Sequence, residues 1–587
     1  MYLRTTKVKR PDGHVDEYIR LVESFWNDGS PRHRVVCNLG RKDLLAPHIE
    51  ALARLIQGEK ERDVASGNAT AVGAWDWGVL LVARHFWEEL GLQSSLDAVQ
   101  QGGVAGELSD RALALVANRL CQPTSEHGIA RWLETDYVCG RSGRRWLPEW
   151  RDEGERLASR RPRVRVKDRQ LRQWYGTLDK LLAQKKSIEK ALFLRLRNLF
   201  ALNVDLVFYD LTSTYFEGNG PGGLALHGHS RDGKPRNRQI LVGQVMIDGW
   251  PIAHHVFEGN KRDAMTVPQV LDDLHQRFGL RRVVFVGDRG MVTSDNIELL
   301  RSRQQGYVVG LNRRRRPEVL RYVERATGPW QECRAGIAAS EKADVPKTLV
   351  QEVVSGQAGV RVFVVHSDER LAYERSEREK AMARVQEGLE TLAERVNTGK
   401  LRAPEKIGAA AARVLARNHG YRYYDWRLEK GRFRYFAHPT NLGREKLLEG
   451  KYLIQTEERN LSAIEAVSVY KELSEVERAF ARLKDVIEMR PVFHQKAERV
   501  QAHVFVASLA FLLDRALEKK LKSAGLDISS REAWQLLKTV RVVEIGLGDQ
   551  KTTRSVTQGS GRAAKILRIL GLKNLDPEAR KTGRRAA

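Results

Sequence analysis

The stretch VDLVFYDLT, at residues 204–212, reads as a β-strand in which an apolar run leads directly to Asp210. The stretch RRVVFVGDRG, at residues 281–290, repeats the pattern, with Asp288 after a second apolar run. In α/β folds, ligands bind beyond the carboxyl ends of parallel strands. We therefore expect both carboxylates at one rim of a sheet, although either aspartate taken alone also fits a simple helix cap.

The segments around these two strands alternate between strand and helix patterns. A hairpin turning at Asp248-Gly249 is predicted for ILVGQVMIDGWPIAHHVFEG, and a further strand for YVVGL. Helical spacing is found over 266–279 and 294–305. This order predicts a multidomain α/β protein whose core is a mixed sheet flanked by helices.

A third carboxylate is expected from a helix that begins near Ser462. Ser462 and Glu465 form the capping-box pattern that starts a helix, and the helical pattern stops before Pro491. Along this helix, Glu477 shares a stripe with Tyr470 and Lys484 at the edge of the apolar face. Glu488 falls on the same stripe, so helical spacing alone leaves two candidates. A solvated helix edge would give the same pattern.

Three clustered carboxylates are a typical site for hard divalent cations. Mg²⁺ prefers oxygen ligands and keeps waters that can be exchanged for phosphate oxygens. Two such ions, about 4 Å apart, can activate an attacking hydroxyl and stabilise a leaving oxygen. Without metal the carboxylates would repel one another. The pattern therefore indicates phosphodiester chemistry.

The composition agrees with a nucleic-acid partner. Lys and Arg number 100 against 74 Asp and Glu, which gives a formal net charge of +26. The four cysteines include no CxxC pair, so neither a zinc ribbon nor a disulfide framework is indicated. No uninterrupted apolar run is long enough to span a bilayer, and the first residues lack a secretory signal pattern. We expect a cytoplasmic, nucleoid-associated protein with no membrane partner and no small-molecule cofactor.

Composition and pattern also suggest how the chain is divided. The predicted regions are a small β unit (1–45), a mostly helical DNA-binding region (46–200) with a basic strap (141–173), the first part of the core (201–311), an inserted α+β domain (312–450), the second part of the core (451–525) and a basic C-terminal tail (526–587).

Three motifs together resemble the DDE transposases of bacterial insertion sequences. They are YDLTSTYFEG around Asp210, VGDRGMVTSDNIELL around Asp288 and YKELSEVERAFARLK around Glu477. The last motif is similar to the subgroup signature Y-x2-R-x3-E-x6-K, which Tyr470, Glu477 and Lys484 match. Leu473 occupies the position of the signature arginine, and this is the one departure from the pattern.

The resemblance implies an RNase H-like core in which Asp210, Asp288 and Glu477 are catalytic and bind two Mg²⁺ ions, with Mn²⁺ able to substitute. It implies cleavage of transposon ends and joining of their 3′ ends to target DNA, by a homodimer on double-stranded DNA. The expected DNA contacts are Tyr470, Lys484, Arg478 and Arg482, together with Arg313, Arg314, Arg315 and Arg316. Two alternatives remain open at this point: a metal-dependent nuclease without strand transfer, and a catalytically silent DNA-binding derivative.

Overall fold

The structure is a computed structural model. It describes residues 2–9, 15–27, 30–45, 69–100, 106–148, 168–200, 202, 204–291, 293–311, 317–333, 346–547 and 551–577. Parts of the predicted features lie outside these residues, among them residues 46–68 of the helical region, residues 149–167 of the basic strap, and Arg313–Arg316.

The described strands follow one another from the N-terminus to residue 556. They are β1 (Tyr2–Lys9), β2 (Val15–Asn27), β3 (Ser30–Arg41), β4 (Ala69–Asp76), β5 (Leu206–Tyr215), β6 (Gln239–Ile247), β7 (Trp250–Glu258), β8 (Val284–Gly287), β9 (Gly306–Gly310), β10 (Gln331–Glu332), β11 (Thr348–Val353), β12 (Arg361–Ser367), β13 (Tyr424–Glu429), β14 (Arg432–Ala437), β15 (Lys451–Thr456), β16 (Arg541–Leu547) and β17 (Lys551–Val556).

The described α-helices are α1 (Lys42–Leu45), α2 (Gly78–Glu89), α3 (Leu92–Val99), α4 (Glu107–Cys121), α5 (Ile129–Thr135), α6 (Asp168–Ala183), α7 (Lys185–Phe200), α8 (Val267–Phe278), α9 (Ser294–Ser302), α10 (Pro317–Arg325), α11 (Asp368–Asn397), α12 (Pro404–Ala416), α13 (Pro439–Leu448), α14 (Ala463–Asp485), α15 (Ala497–Ser523), α16 (Ser530–Leu537) and α17 (Gly561–Ile569).

The chain forms two compact units. The first comprises Met1–Asn203, Leu211–Lys261 and Arg478–Ala587, and the second comprises Val204–Asp210 and Arg262–Glu477. The unit boundaries fall inside β5 and inside α14, so each of these elements contributes residues to both units.

The second unit is built on a mixed sheet. Its strands lie in the order β10-β11-β12-β15-β9-β8-β5. β5, β8 and β9 run parallel, whereas β12 and β15 pair antiparallel with their neighbours. The helices α8 and α9 provide the two connections that make the parallel pairs possible. The predicted mixed sheet with flanking helices is confirmed for this part of the chain.

The boundary of the predicted insertion, 312–450, differs from the strand pairing. β11 and β12 belong to the core sheet, because β12 pairs with β15 from Arg361↔Thr456 to His366↔Lys451. The sequence analysis placed both strands in the inserted domain, whereas in the structure they extend the core sheet. A separate hydrophobic cluster is formed by helices α11 and α12 and the β13–β14 hairpin, with Leu389, Ala411 and Phe433 at its centre.

Two regions of the first unit also differ from the sequence analysis. The segment 46–200 was expected to be mostly helical, and its described residues contain, besides the helices α2–α7, the unpredicted strand β4, which pairs with β16. The segment 526–587 was expected to be a basic tail, but it contains α16, β16, β17 and α17. The alternation of RVVEIGL in β16 provides one apolar face, and β4 and β17 pair on either side of it.

The other elements of the first unit follow the predicted patterns more closely. β1, β2 and β3 form an antiparallel sheet, and β6 and β7 form the predicted hairpin. Its turn places Asp248 and Gly249 at φ 48° and 68°, the backbone conformation that a tight two-residue turn requires. α15 is long and apolar enough to cross a membrane, but 83% of its most apolar window is buried inside the protein, as in a core helix.

Candidate active site

Asp210 and Asp288 are brought together by the register of two parallel strands. β5 pairs with β8 from Leu206↔Val284 to Tyr209↔Gly287. Asp210 follows Tyr209 and Asp288 follows Gly287, so the backbones of the two aspartates lie about 5 Å apart, the usual separation of neighbouring strands. Both side chains are half-buried. Asp210 was expected near the end of its strand, but β5 continues to Tyr215. At this rim of the sheet β8 ends at Gly287, whereas β5 continues past Asp210.

Hydrogen bonds fix the turn that follows Asp288. The Met291 N–H donates to the Asp288 carbonyl at 3.0 Å. The buried Asn296 side chain donates to the carbonyls of Met291 (2.8 Å) and Ala264 (2.9 Å), and its backbone N–H is capped by the Thr293 hydroxyl. The sequence analysis did not identify Asn296. A polar residue three positions after a helix-capping threonine was the available signal.

Asp263 is a further carboxylate near this turn. It lies in the short 3₁₀ turn before α8, and its Oδ2 would be 3.2 Å from a Cβ placed on Gly290. The Tyr209 hydroxyl bonds to Thr266 Oγ1 at 2.9 Å, which ties this turn to β5. No spacing pattern in the sequence connects Asp263 with Gly290, so only the folded chain shows their proximity.

Glu477 is supplied by α14. The predicted capping box is present: the Ser462 N–H donates to the Glu465 carboxylate at 2.8 Å, and the Glu465 N–H donates to Ser462 Oγ at 3.2 Å. Glu477 itself is exposed, beside the buried Val476. Partial desolvation, followed by the negative charge of Asp288, raises the pKa of the Glu477 carboxyl. The structure therefore places Glu477 within electrostatic range of Asp288.

The other glutamate on the predicted stripe does not keep its helical position. α14 ends at Asp485, and Glu488 lies beyond it with a left-handed φ of 50°. The stripe that made Glu488 an alternative to Glu477 therefore stops before it. Helical spacing therefore no longer favours Glu488.

The three carboxylates are a suitable set of donors for a divalent metal. All three offer hard oxygen ligands, and the repulsion between Asp288 and Glu477 would be relieved by a bound cation. These are properties of the residues themselves and do not depend on which ion binds.

The signature positions have packing roles of their own. The Tyr470 ring stacks on Tyr452 with centroids 5.9 Å apart, and its hydroxyl occupies the space that a Cβ on Gly310 would need. Leu473 is 5% exposed and belongs to the hydrophobic core. The structure therefore favours a packing role for Leu473.

The predicted cationic DNA contacts differ in their surroundings. Lys484 donates to Asp232 Oδ1 at 2.7 Å, and Arg490 bonds to the same oxygen. The Asp232 side chain is only 2% exposed, and burial is the main cause that lowers the pKa of Lys484. Lys484 therefore already has an anionic partner within the protein.

Arg482 is likewise held by protein groups. Its guanidinium bonds to Ser530 Oγ and lies 3.2 Å from Asp514 and 3.6 Å from Glu518. Arg478 is exposed on the same helix. The sequence analysis did not identify Asp232 or Asp514 as partners, because each lies far from its cation along the chain.

A second cluster of metal-type ligands, Glu126, His494 and His503, is buried in the first unit. His503 Nε2 contacts the Met489 carbonyl at 3.1 Å, and Nδ1 contacts the Arg119 guanidinium at 3.3 Å. A neutral imidazole that donates from Nε2 and accepts at Nδ1 uses both nitrogens in these contacts. The buried Arg119 also interacts favourably with Glu126. Both ring nitrogens of His503 are therefore engaged by protein groups.

Comparison with known proteins identifies two matching family models. Residues 207–513 match "Transposase DDE domain", and residues 3–70 match "IS1634 family transposase, N-terminal domain". A search of curated proteins gave no match. Among solved structures, the chain is similar to a piggyBac transposase synaptic complex with hairpin DNA, at 10% identity and a TM-score of 0.35, covering 78% of this chain and 79% of the other.

The match over 207–513 extends across more than half of the chain and includes all three carboxylates. Members of this family generally use divalent metal ions. The chain therefore belongs to the DDE transposase family and is a DNA transposase, an enzyme that cleaves and transfers DNA strands.

Proposed function

We propose that Asp210, Asp288 and Glu477 are the catalytic, metal-binding carboxylates of this transposase. The observation that carries the proposal is their convergence. The β5–β8 register sets Asp210 beside Asp288, and partial desolvation followed by the charge of Asp288 raises the pKa of Glu477. The carboxylates would hold two Mg²⁺ ions, with Mn²⁺ able to substitute. When bound, these ions supply an activated attacking hydroxyl and stabilisation of the leaving oxygen.

The protein's own groups would position the reacting strand. The 3₁₀ turn from Arg289 to Met291, held by Asn296, fixes the backbone on which Asp288 stands. The packing of Tyr470 against Tyr452 fixes α14, and with it Glu477. The carboxylates are thus carried by a sheet and a helix rather than by free loops, which favours precise geometry.

The proposed reaction is cleavage at the ends of an insertion sequence, followed by joining of the 3′ ends to target DNA. Synapsis of two ends would require a homodimer on DNA, in association with the nucleoid. The core arrangement fits an RNase H-like fold. The signature Y-x2-R-x3-E-x6-K is the proposed subgroup, with Leu473 at the arginine position serving the core instead of a phosphate.

The test is an assay that separates cleavage from joining. A duplex carrying the inverted repeat that borders the gene is incubated with the protein, Mg²⁺ and a supercoiled plasmid. We expect free 3′ ends and plasmid-joined products. Cleavage without joined products would favour the metal-dependent nuclease. Binding without cleavage in either Mg²⁺ or Mn²⁺ would favour the silent DNA-binding derivative.

A further inference from the structure

The body formed by residues 368–448 has an uneven distribution of charge. Residues 368–397, which form α11, contain six Lys and Arg against eight Asp and Glu. Residues 400–448 contain 12 Lys and Arg against four Asp and Glu, and 11 of those 12 cations are exposed. One part of this body is therefore mildly acidic, while the other presents a dense set of exposed cations.

The β13–β14 hairpin in the basic part is anchored firmly by one of its faces. Phe433 and Tyr424 are buried in the cluster that includes α11 and α12. Trp426 stacks on Phe433 with ring centroids 5.3 Å apart. The Phe433 N–H donates to the Asn397 side chain at 2.9 Å. This packing fixes the backbone, and with it the direction of the outward-facing side chains.

The opposite face of the hairpin is rich in arginine. Arg427 lies directly across from Arg434. The next pair on the same face is Glu429 and Arg432. Like charges directly opposite each other destabilise an antiparallel pair. Glu429 lies 2.7 Å from the Arg427 guanidinium and 3.4 Å from that of Arg434, so one carboxylate is shared between two cations. Asp425 lies on the same face, across from Phe436, so the three arginines outnumber the two carboxylates by one positive charge.

An exposed aromatic ring lies within the same face. Phe436 is 41% exposed, and the Arg427 guanidinium is 5.6 Å from its ring centroid. A cation held against an aromatic ring keeps its outer edge available for an anion while its orientation is restricted. The hairpin face, defined here as Arg427, Arg432, Arg434 and Phe436, is thus a preorganised cationic surface.

We propose that the hairpin face binds the phosphate backbone of double-stranded DNA, independently of base sequence. A row of fixed guanidinium groups is complementary to a regular series of phosphates, and arginine suits phosphate through paired donors. The inference rests on the proposed transposase function, which supplies the DNA substrate. It adds a contact surface outside the carboxylate cluster and assigns it the role of grip rather than chemistry.

The experiment compares two triple variants of the full-length protein. The test variant carries Arg427→Ser, Arg432→Ser and Arg434→Ser. The control carries Arg375→Ser, Arg384→Ser and Arg395→Ser, three exposed arginines on α11 of the same body. Affinity is measured by fluorescence anisotropy for an end-containing duplex and an unrelated duplex, in the absence of metal and over a range of salt concentrations.

We expect the test variant to bind both duplexes about tenfold or more weakly at low salt. Its log affinity should also depend less steeply on log salt, by roughly 2–3 in slope, because each lost phosphate contact removes about 0.9. The control should stay within about threefold of wild type. The melting temperature of the test variant should be unchanged or higher, because its opposed arginines are gone.

Unchanged affinity in a folded test variant would overturn the proposal. So would a loss restricted to the end-containing duplex, since that outcome indicates base reading. If the triple variant does not fold, the pair Arg432→Gln and Arg434→Gln is measured in the same way and judged by the same criteria. Wild-type cleavage in Mg²⁺ is assayed in parallel. Its absence would contradict the proposed function, whereas the binding data judge the hairpin face separately.

Discussion

Two carboxylate sites in this protein have opposite electrostatic surroundings. In the cluster of Asp210, Asp288 and Glu477, partial desolvation and then the charge of Asp288 raise the pKa of the Glu477 carboxyl. At Asp232, in contrast, a single buried carboxylate is met by both Lys484 and Arg490. Glu477 and Lys484 lie only seven residues apart on α14, so one helix contributes to both arrangements.

The difference indicates which group is structural and which is functional. The Asp232 side chain is 98% buried, and a buried charge is tolerated when opposite charges neutralise it. At Glu477, desolvation and then the negative charge of Asp288 raise the pKa of the carboxyl, and a bound cation would relieve the repulsion between these two groups. This contrast supports a structural role for Asp232 and agrees with the proposed metal-binding role of the three carboxylates.

The largest expected effect comes from removing one carboxylate of the candidate site. Asp210→Asn, Asp288→Asn and Glu477→Gln should each reduce DNA cleavage more than about 1,000-fold, because each loses a charged metal ligand. The melting temperature should stay the same or rise, since repulsion is reduced. Nicking of an end-containing duplex in Mg²⁺ measures the activity.

Glu472→Gln is the matched control, because Glu472 is exposed on the same helix but lies about 140° around the helix axis from Glu477. It should retain cleavage. Near-normal activity in any one of the three carboxylate variants would remove that residue from the proposed triad.

Asp232→Asn should reverse this pattern, with a large loss of stability. Lys484 and Arg490 would be left beside each other without their shared counter-charge, and the free energy of unfolding should fall by about 3 kcal/mol. Asp485→Asn is the control: Asp485 also pairs with Arg490 but is 61% exposed, so its loss should amount to less than about 1 kcal/mol. Equal stability of the two variants would contradict the structural role of Asp232.

Leu473→Arg tests whether the signature position lies in the core. A guanidinium would replace a side chain that is 5% exposed, and the free energy of unfolding should fall by about 2–3 kcal/mol. Leu473→Met, which keeps the volume, should lose less than about 1.5 kcal/mol. Affinity for end DNA is measured on both variants. Tighter binding by a stable Leu473→Arg protein would restore this position to the DNA interface.

The smallest expected effect is the gain in stability on metal binding, which compares the two carboxylate sites directly. At a Mg²⁺ concentration of ten times Kd, the wild-type protein should gain about 1.4 kcal/mol of stability. The gain should vanish in Asp288→Asn and persist in Asp232→Asn, and differential scanning calorimetry measures it. A gain that survives in Asp288→Asn would place the ion elsewhere.

Strand and helix patterns predicted the core because they depend on near neighbours in the chain. Apolar runs before Asp210 and Asp288 predicted two strands, and the capping box at Ser462 predicted where α14 begins. The segment 526–587 was predicted to be a basic tail because its many cations outweighed the apolar pattern of β16. The partner strand β4 lies more than 450 residues away along the chain, so local patterns could not indicate the pairing.

The sequence by itself determined the residue types of the site and the order in which they occur, because motifs and periodicities are local properties. It left Glu477 and Glu488 as alternatives, and it left Lys484 and Arg482 as expected DNA contacts. In the structure α14 ends at Asp485, so Glu477 lies on the helix and Glu488 lies beyond it, which supports the proposal of Glu477. The tertiary structure also supplied Asp232 and Asp514, the anionic partners of the two cations. Electrostatic energy depends on distance through space. Lys484 and Asp232 are 252 residues apart along the chain, so local sequence patterns cannot indicate their contact.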